Sequence, residues 1–162
     1  MDKARGGAPG TWVRMLALGV TSVGGAGFAP RAPGTVGSLV GIVSGWALMA
    51  YAPRTLGIAI LAASLLGLLA IRAARIEGDP GHVVIDELAG QWVALLGLTR
   101  ADWPGLLAAF VLFRFLDIVK PGPVGWADRQ KGAAGIMADD LIAGGLAAAV
   151  LWAANSRWPG VL

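Results

Sequence analysis

The sequence predicts an all-α fold: a compact bundle of about five main helices, embedded in a membrane or associated with one. Three observations predict it. Hydrophobic residues make up 56% of the 162 residues and charged residues only 14%, which is more apolar than a soluble domain usually is. Mean hydropathy is +0.68, and seven tryptophans stand against one tyrosine, as suits indole rings at a bilayer interface. Apolar stretches recur between connections rich in glycine and proline. No break in composition marks a second unit, so residues 1–162 read as one domain, with an N-terminal segment over 1–23 and a helical core over 24–155.

The elements follow in order. Lys3, Arg5 and Arg14 surround the start of a short apolar run, Met15 to Val20, which is too short for a signal-peptide core and is expected to stay as an interfacial segment. The first long apolar stretch runs from about Ser38 to Ala52 and stops at Pro53. The second, Leu56 to Ile71, holds no charge and ends at Arg72 and Arg75. The third, Val83 to Thr99, has its acids near the start, and Pro104 opens a fourth that Pro121 closes, because proline suits a first turn but not a helix interior. Asp139 or Asp140 begins the last, which continues to Asn155. Each stretch lies near or below the roughly 17 to 20 residues needed to cross a bilayer. A soluble bundle of buried helices is therefore the competing arrangement.

If all five cross, the basic residues sort strongly. Lys3, Arg5, Arg14, Arg31, Arg72, Arg75, Lys120, Arg129 and Lys131 fall on one side, and Arg54, Arg100 and Arg157 on the other. The positive-inside rule makes the first side cytoplasmic. The net charge of +3 is scattered and not interleaved with exposed aromatics, so anionic lipid suits this chain and nucleic acid does not. With no cysteine, disulfides, thiolate metal sites and cysteine nucleophiles are excluded.

The same topology gathers six acids, Asp86, Glu87, Asp117, Asp128, Asp139 and Asp140, on the cytoplasmic rim. Carboxylates distant in sequence and convergent in space suit a hard divalent cation. Each also has a plainer reading. The helix macrodipole favours acids in a first turn, which covers Asp86, Glu87, Asp139 and Asp140. Arg114, Asp117 and Lys120 follow at three-residue spacing and read equally as an intrahelical salt-bridge ladder. In a membrane, such an ionisable cluster points to function. Gly90 and Gly144 stand four residues after Asp86 and Asp140, where small side chains let helix backbones approach. In the stretch GGAGFAPRAPGTVGSL, Pro33-Gly34 suits a type II turn, and Thr35 or Ser38 can cap the following helix. A helix start there would seat a phosphate, although the Gly-Lys-Ser/Thr ending of a Walker loop is missing. One histidine, His82, is a thin basis for a phosphohistidine and reads as a turn residue. Carboxylates without cysteine point instead to metal-activated water, with Mg²⁺ polarising a phosphoryl oxygen and Arg or Lys neutralising charge.

Four segments, FAPRAPGTVGSL, VVIDELAGQW, FRFLDIVKPGPVGWADR and GAAGIMADDLIAG, occur in this order between about Gly24 and Gly145. Together they resemble the phosphatidylglycerophosphatase A family. The resemblance implies a Mg²⁺-dependent, all-helical lipid phosphatase of the bacterial inner membrane, with its site facing the cytoplasm. Its reaction would remove the terminal phosphate of phosphatidylglycerophosphate, an anionic phospholipid substrate, to give phosphatidylglycerol. On this basis Asp86, Glu87, Asp139 and Asp140 are expected to bind Mg²⁺, with Asp117 a ligand or the base that orients water. Asp117, Lys120 and Asp86 form the expected catalytic set. Arg114, Lys120 and Arg129 are expected to clamp phosphate oxygens, helped by the backbone of Thr35, Gly37 and Ser38. Asp128 is a further ligand or the partner of Arg129. The Cys-x5-Arg loop, the Asp-x-Asp-x-Thr/Val strand motif and the histidine pairs of other phosphatases are absent. A carboxylate-lined cation transporter remains the alternative; a nonenzymatic lipid-binding protein would leave the six acids without a task. Oligomeric state is left open.

Overall fold

A computed structural model describes residues 10–78 and 80–158. Among them are seven α-helices, two short 3-10 turns and no strand. The helices are α1 (Thr11–Thr21), α2 (Pro33–Tyr51), α3 (Leu56–Ala74), α4 (Ile85–Leu95), α5 (Trp103–Val119), α6 (Pro123–Asp128) and α7 (Ala133–Arg157). The all-α expectation holds, and α1 and the short α6 raise the number beyond five. Lys3 and Arg5 lie outside the described residues. Within the described part of the N-terminal segment, Thr11–Thr21 form α1, packed on α3 with Trp12, Met15 and Leu16 exposed.

Local sequence explains most helix ends. Proline occupies the first turn of α2, α5 and α6, where its missing N–H costs nothing. The Asp102 carboxylate caps α5 by accepting from the Gly105 N–H at 3.1 Å, as N-cap acids do.

Small residues set the packing. A Cβ at Gly34 would strike Glu87, one at Gly41 would lie 2.9 Å from the Gln91 Cβ, and one at Gly45 would strike Leu95. Helices α2 and α4 therefore run parallel at close approach. A Cβ at Gly90 would lie 2.6 Å from the Asp140 carbonyl oxygen, one at Gly144 would strike the Gly90 carbonyl, and one at Gly97 would strike Ala148. Thus α7 runs parallel to α4, backbone against backbone. Helices α3 and α5 return in the opposite direction: Gly67 of α3 meets Ile85 and Met137, while Leu56 shares a buried cluster with Leu95, Leu98, Leu106 and Leu151.

Three helical segments, Pro33–Tyr51, Pro53–Ala74 and Ala133–Arg157, are long and apolar enough to cross a membrane. Their outer faces are greasy: Val43, Leu61, Leu65, Leu66 and Leu69 are exposed, as are Leu107, Val111 and Phe115 of α5. An apolar surface of this extent is that of a membrane protein. The condition that all five stretches cross is not met at α4, whose 11 residues extend about 16 Å at 1.5 Å per residue, against a hydrocarbon core of ~30 Å.

The starts of α2, α4 and α7 and the ends of α3 and α5 share one end of the bundle. Arg31, Arg72, Arg75, Lys120, Arg129 and Lys131 belong to that end, whereas Arg54, Arg100 and Arg157 belong to the other. Every residue with positive φ among those described, namely Val23, Gly24, Gly25, Ala32, Arg75, Gly78, Lys120, Gly122 and Gly132, also lies in the connections of the first end.

Candidate active site

The parallel course of α4 and α7 carries the acids of both helices to the same level. Asp86 and Glu87 occupy the first turn of α4, where the helix dipole favours them. Asp139 and Asp140 do not begin a helix, contrary to expectation. The last helix starts at Ala133, two turns earlier, and both acids are buried within it, so the dipole accounts for neither. The small residues Ala133, Ala134 and Gly135 hide this start, because they offer neither a polar cap nor a large apolar side chain.

Because neighbouring helical residues point ~100° apart, Asp139 and Asp140 face different surroundings. Asp140 joins Asp86 and Glu87, and one carboxylate oxygen from each lies within 4.8 Å of the others. Asp117 approaches the same cluster beside Asp140. Asp139 instead accepts from Lys120 Nζ at 2.8 Å, and Lys120 also pairs with Asp128. The expected ladder over Arg114, Asp117 and Lys120 is therefore broken. Arg114 Nη1 meets Asp117 Oδ2 at 2.5 Å, but Lys120 has left the helix in a left-handed C-cap conformation, φ 51°, and turns toward the loops. Asp128 is thus a partner of Lys120 rather than of Arg129.

Helix α2 closes the inner cluster. It begins at Pro33, with Ala32 as N-cap in a left-handed conformation and no side-chain cap. The expected type II turn and the Thr35 or Ser38 cap are not formed, because Pro33 and Gly34 are already helical. Gly34 faces the Glu87 carboxylate and Arg114. Ser38 is buried, donates to the Gly34 carbonyl at 2.9 Å and lies 3.4 Å from Arg114 Nη1. Thr35 is half-buried in the same first turn. Gly37 faces Val84, with a Cβ placed 2.8 Å from the Val84 Cβ, so its role here is helix packing. His82 stacks on Phe28 with ring centroids 5.7 Å apart.

The electrostatics are those of a centre built for a cation. Four carboxylates, Asp86, Glu87, Asp117 and Asp140, crowd around one guanidinium, Arg114. Burial pushes the Glu87 carboxyl up; the neighbouring charge of Asp117 adds to this, while a hydrogen bond with Asp86 and the charge of Arg114 oppose it. Glu87 Oε2 and Arg114 Nε are buried without a hydrogen-bond partner, and buried polar atoms left in this state mark a place for a ligand or ion. An all-oxygen donor set of this kind fits a hard divalent cation. For Lys120, burial lowers the pKa, but hydrogen bonds to Asp128 and Asp139 outweigh it and hold the ammonium charged.

Sequence reasoning missed three features. Gly34 opposes the acids, Gln91 is fully buried four residues after Glu87 with its amide unpartnered, and a pocket of about 500 Å³ adjoins Asp139. The spacing of Gly34, Ser38, Gly41 and Gly45 was the available signal for the first two, since it marks a face that admits another helix.

A helical membrane protein with a buried acid cluster beside an arginine has the makings of a metal-dependent enzyme acting on an anion. The Phosphatidylglycerophosphatase A family model matches residues 19–155, and the chain belongs to this family. It is 39% identical over 154 residues to phosphatidylglycerophosphatase A of Escherichia coli K12, covering 91% of this chain and 87% of that protein. It is 34% identical over 146 residues to the Haemophilus influenzae protein of the same name, covering 87% of each. A Bacteroides thetaiotaomicron protein, named provisionally as a phosphatidylinositol-3-phosphatase, is 41% identical over 130 residues, covering 74% of this chain and 81% of that one. No solved structure matches the chain at a significant level.

Proposed function

We propose that this chain is a Mg²⁺-dependent lipid phosphatase that hydrolyses the terminal phosphate of phosphatidylglycerophosphate at the cytoplasmic face of the bacterial inner membrane. The observation that carries this is the meeting of Asp86, Glu87 and Asp140 from two helices within 4.8 Å. The names of the relatives supply the substrate. The whole chain is taken as one domain, with 24–155 as its catalytic core.

Asp86, Glu87 and Asp140 are the residues to hold the metal. Bound there, Mg²⁺ would supply Lewis-acid polarisation of a phosphoryl oxygen and a lowered pKa for attached water. Asp117, oriented by Arg114, accepts the proton of the attacking water. Arg114 directs its unpartnered Nε to a phosphate oxygen, helped by the first-turn N–H groups of Gly34 and Thr35, while Lys120 offsets charge that develops as the ester P–O bond breaks. Asp139 and Asp128 act through Lys120 as positioning residues. The basic residues of this end suit an anionic lipid surface and the cytoplasmic leaflet.

The test is release of inorganic phosphate from phosphatidylglycerophosphate in mixed micelles, with and without Mg²⁺, for the native chain, Asp140→Asn and Glu87→Gln. Metal-dependent release by the native chain and its loss in both variants are expected. Release only from phosphatidylinositol 3-phosphate would move the substrate to that of the Bacteroides relative. Divalent-cation uptake into vesicles with no hydrolysis of either lipid would make the chain a transporter.

A further inference from the structure

The reacting phosphate is placed at the carboxylate centre, but the proposed substrate carries a second anion. A phosphodiester, one glycerol away from the terminal phosphate, joins its headgroup to the diacyl tail. Beside the centre lies a pocket of about 500 Å³, between the loop after α3 and the α6–α7 connection. That volume is typical of small-ligand sites. Its wall includes Asp139, whose neighbour along α7, Asp140, belongs to the acid cluster. Glu77, Asp128, Gln130, Arg129 and Lys131 complete the polar lining, with Ile76 and Ile136 as apolar floor.

The charges of this pocket are of two kinds. Asp128 and Asp139 are engaged by Lys120. Arg129 and Lys131 are exposed and form no ion pair among the described residues. A phosphate monoester calls chiefly for cations, whereas a glycerol next to a phosphodiester needs an acceptor for its free hydroxyl and a cation for the single negative charge. The mixed lining matches the second ligand.

We infer that this pocket is a headgroup subsite: Arg129 and Lys131 bind the phosphodiester of a glycerophospholipid, and Glu77 and Gln130 receive the one free hydroxyl of the headgroup glycerol, while the terminal phosphate reacts at the acid cluster. The inference rests on the phosphatase reading above. It makes the pocket the part of the site that separates lipids bearing a diester and a monoester from those bearing a monoester alone.

The test compares kcat/KM for phosphatidylglycerophosphate with kcat/KM for phosphatidate, which has the reacting monoester but no diester. Both are measured on the full chain in Mg²⁺-containing mixed micelles, native and R129Q/K131Q. The ratio of the two constants is expected to fall at least roughly tenfold in the variant, about the effect of losing one charge-assisted hydrogen bond, chiefly through KM for the diester lipid. An unchanged ratio overturns the inference. Binding of glycerophosphoglycerol, the water-soluble diester headgroup, to the detergent-solubilised chain is measured by calorimetry and does not depend on turnover. Binding by the native chain that weakens in the variant supports the pocket even if hydrolysis fails, and no binding by the native chain refutes it.

Discussion

Gly90→Ala tests the claim that backbone contact between α4 and α7 assembles the acids. A Cβ at this position would lie 2.6 Å from the Asp140 carbonyl oxygen and 2.7 Å from a Phe113 ring carbon. Ordinary contact begins at 3.4 Å, so the two helices must part by roughly 0.8 Å. Overpacking of this kind costs about 1–3 kcal/mol, and the gain in helix propensity from glycine to alanine returns up to ~1 kcal/mol. The variant should therefore stay folded. Its activity should not survive as well, because a misplacement near 1 Å costs on the order of 100-fold in rate and separates Asp140 from Asp86 and Glu87. We expect native-like circular dichroism, a loss of about 100-fold in kcat/KM for phosphate release, and Mg²⁺ affinity weakened at least roughly tenfold. Gly145→Ala is the control: a Cβ there meets nothing within 4 Å, so activity should be unchanged. Native turnover and native metal affinity in Gly90→Ala would refute the reasoning, as would equal damage from Gly145→Ala.

Asp140→Asn should raise the melting temperature of the metal-free protein, by removing one of four crowded carboxylates, while abolishing the stabilisation that Mg²⁺ gives the native chain; thermal melts with and without Mg²⁺ check both signs. The Glu87 carboxyl is pushed up by burial, so its contribution to stability is full below its ordinary value of 4.5 and is lost as pH rises through the folded value. The metal-free protein should accordingly melt lower at neutral pH than at about pH 4.5, and saturating Mg²⁺ should reverse that order because ligation requires the carboxylate. Arg114→Lys should raise KM or lower kcat by roughly tenfold or more despite keeping the charge, since a lysine cannot reach Asp117 and a phosphate with one planar fork. Lys120→Met should lower kcat while leaving Mg²⁺ affinity within about twofold, since Lys120 contacts Asp128 and Asp139 rather than the inner acids, and that is read by calorimetry alongside turnover.

The legible parts were those with a strong local signal. Unbroken apolar runs gave α3 and α5 nearly to their ends and α2 from Ser38 on, missing its first turn at Pro33, and acids followed by a helical pattern placed Asp86 and Glu87 in a first turn. The pairing of Gly90 with Gly144 was visible too, since each follows its acid by one turn. What stayed hidden depended on three-dimensional detail. The start of α7 is masked by small residues that have no period, and α6 is only six residues long. Lys120 continues a three-residue spacing in the sequence, yet its backbone leaves the helix, so its charge goes to Asp128 and Asp139 instead of Asp117. Adjacent acids at 139 and 140 read as one pair, and only the helix rotation divides them between two surroundings.

The uneven distribution of left-handed backbone has a practical consequence. The connections at residues 52–55 and 96–102 hold ordinary conformations throughout, whereas the reactive end is threaded by turns that tolerate few residue types, four of them adopted by side chains that resist them. Affinity tags, fluorescent fusions or epitope insertions placed at 52–55 or 96–102 should leave turnover intact. The same cargo spliced between Gly24 and Arg31, or between Pro121 and Gly132, should silence the enzyme even though both stretches touch water.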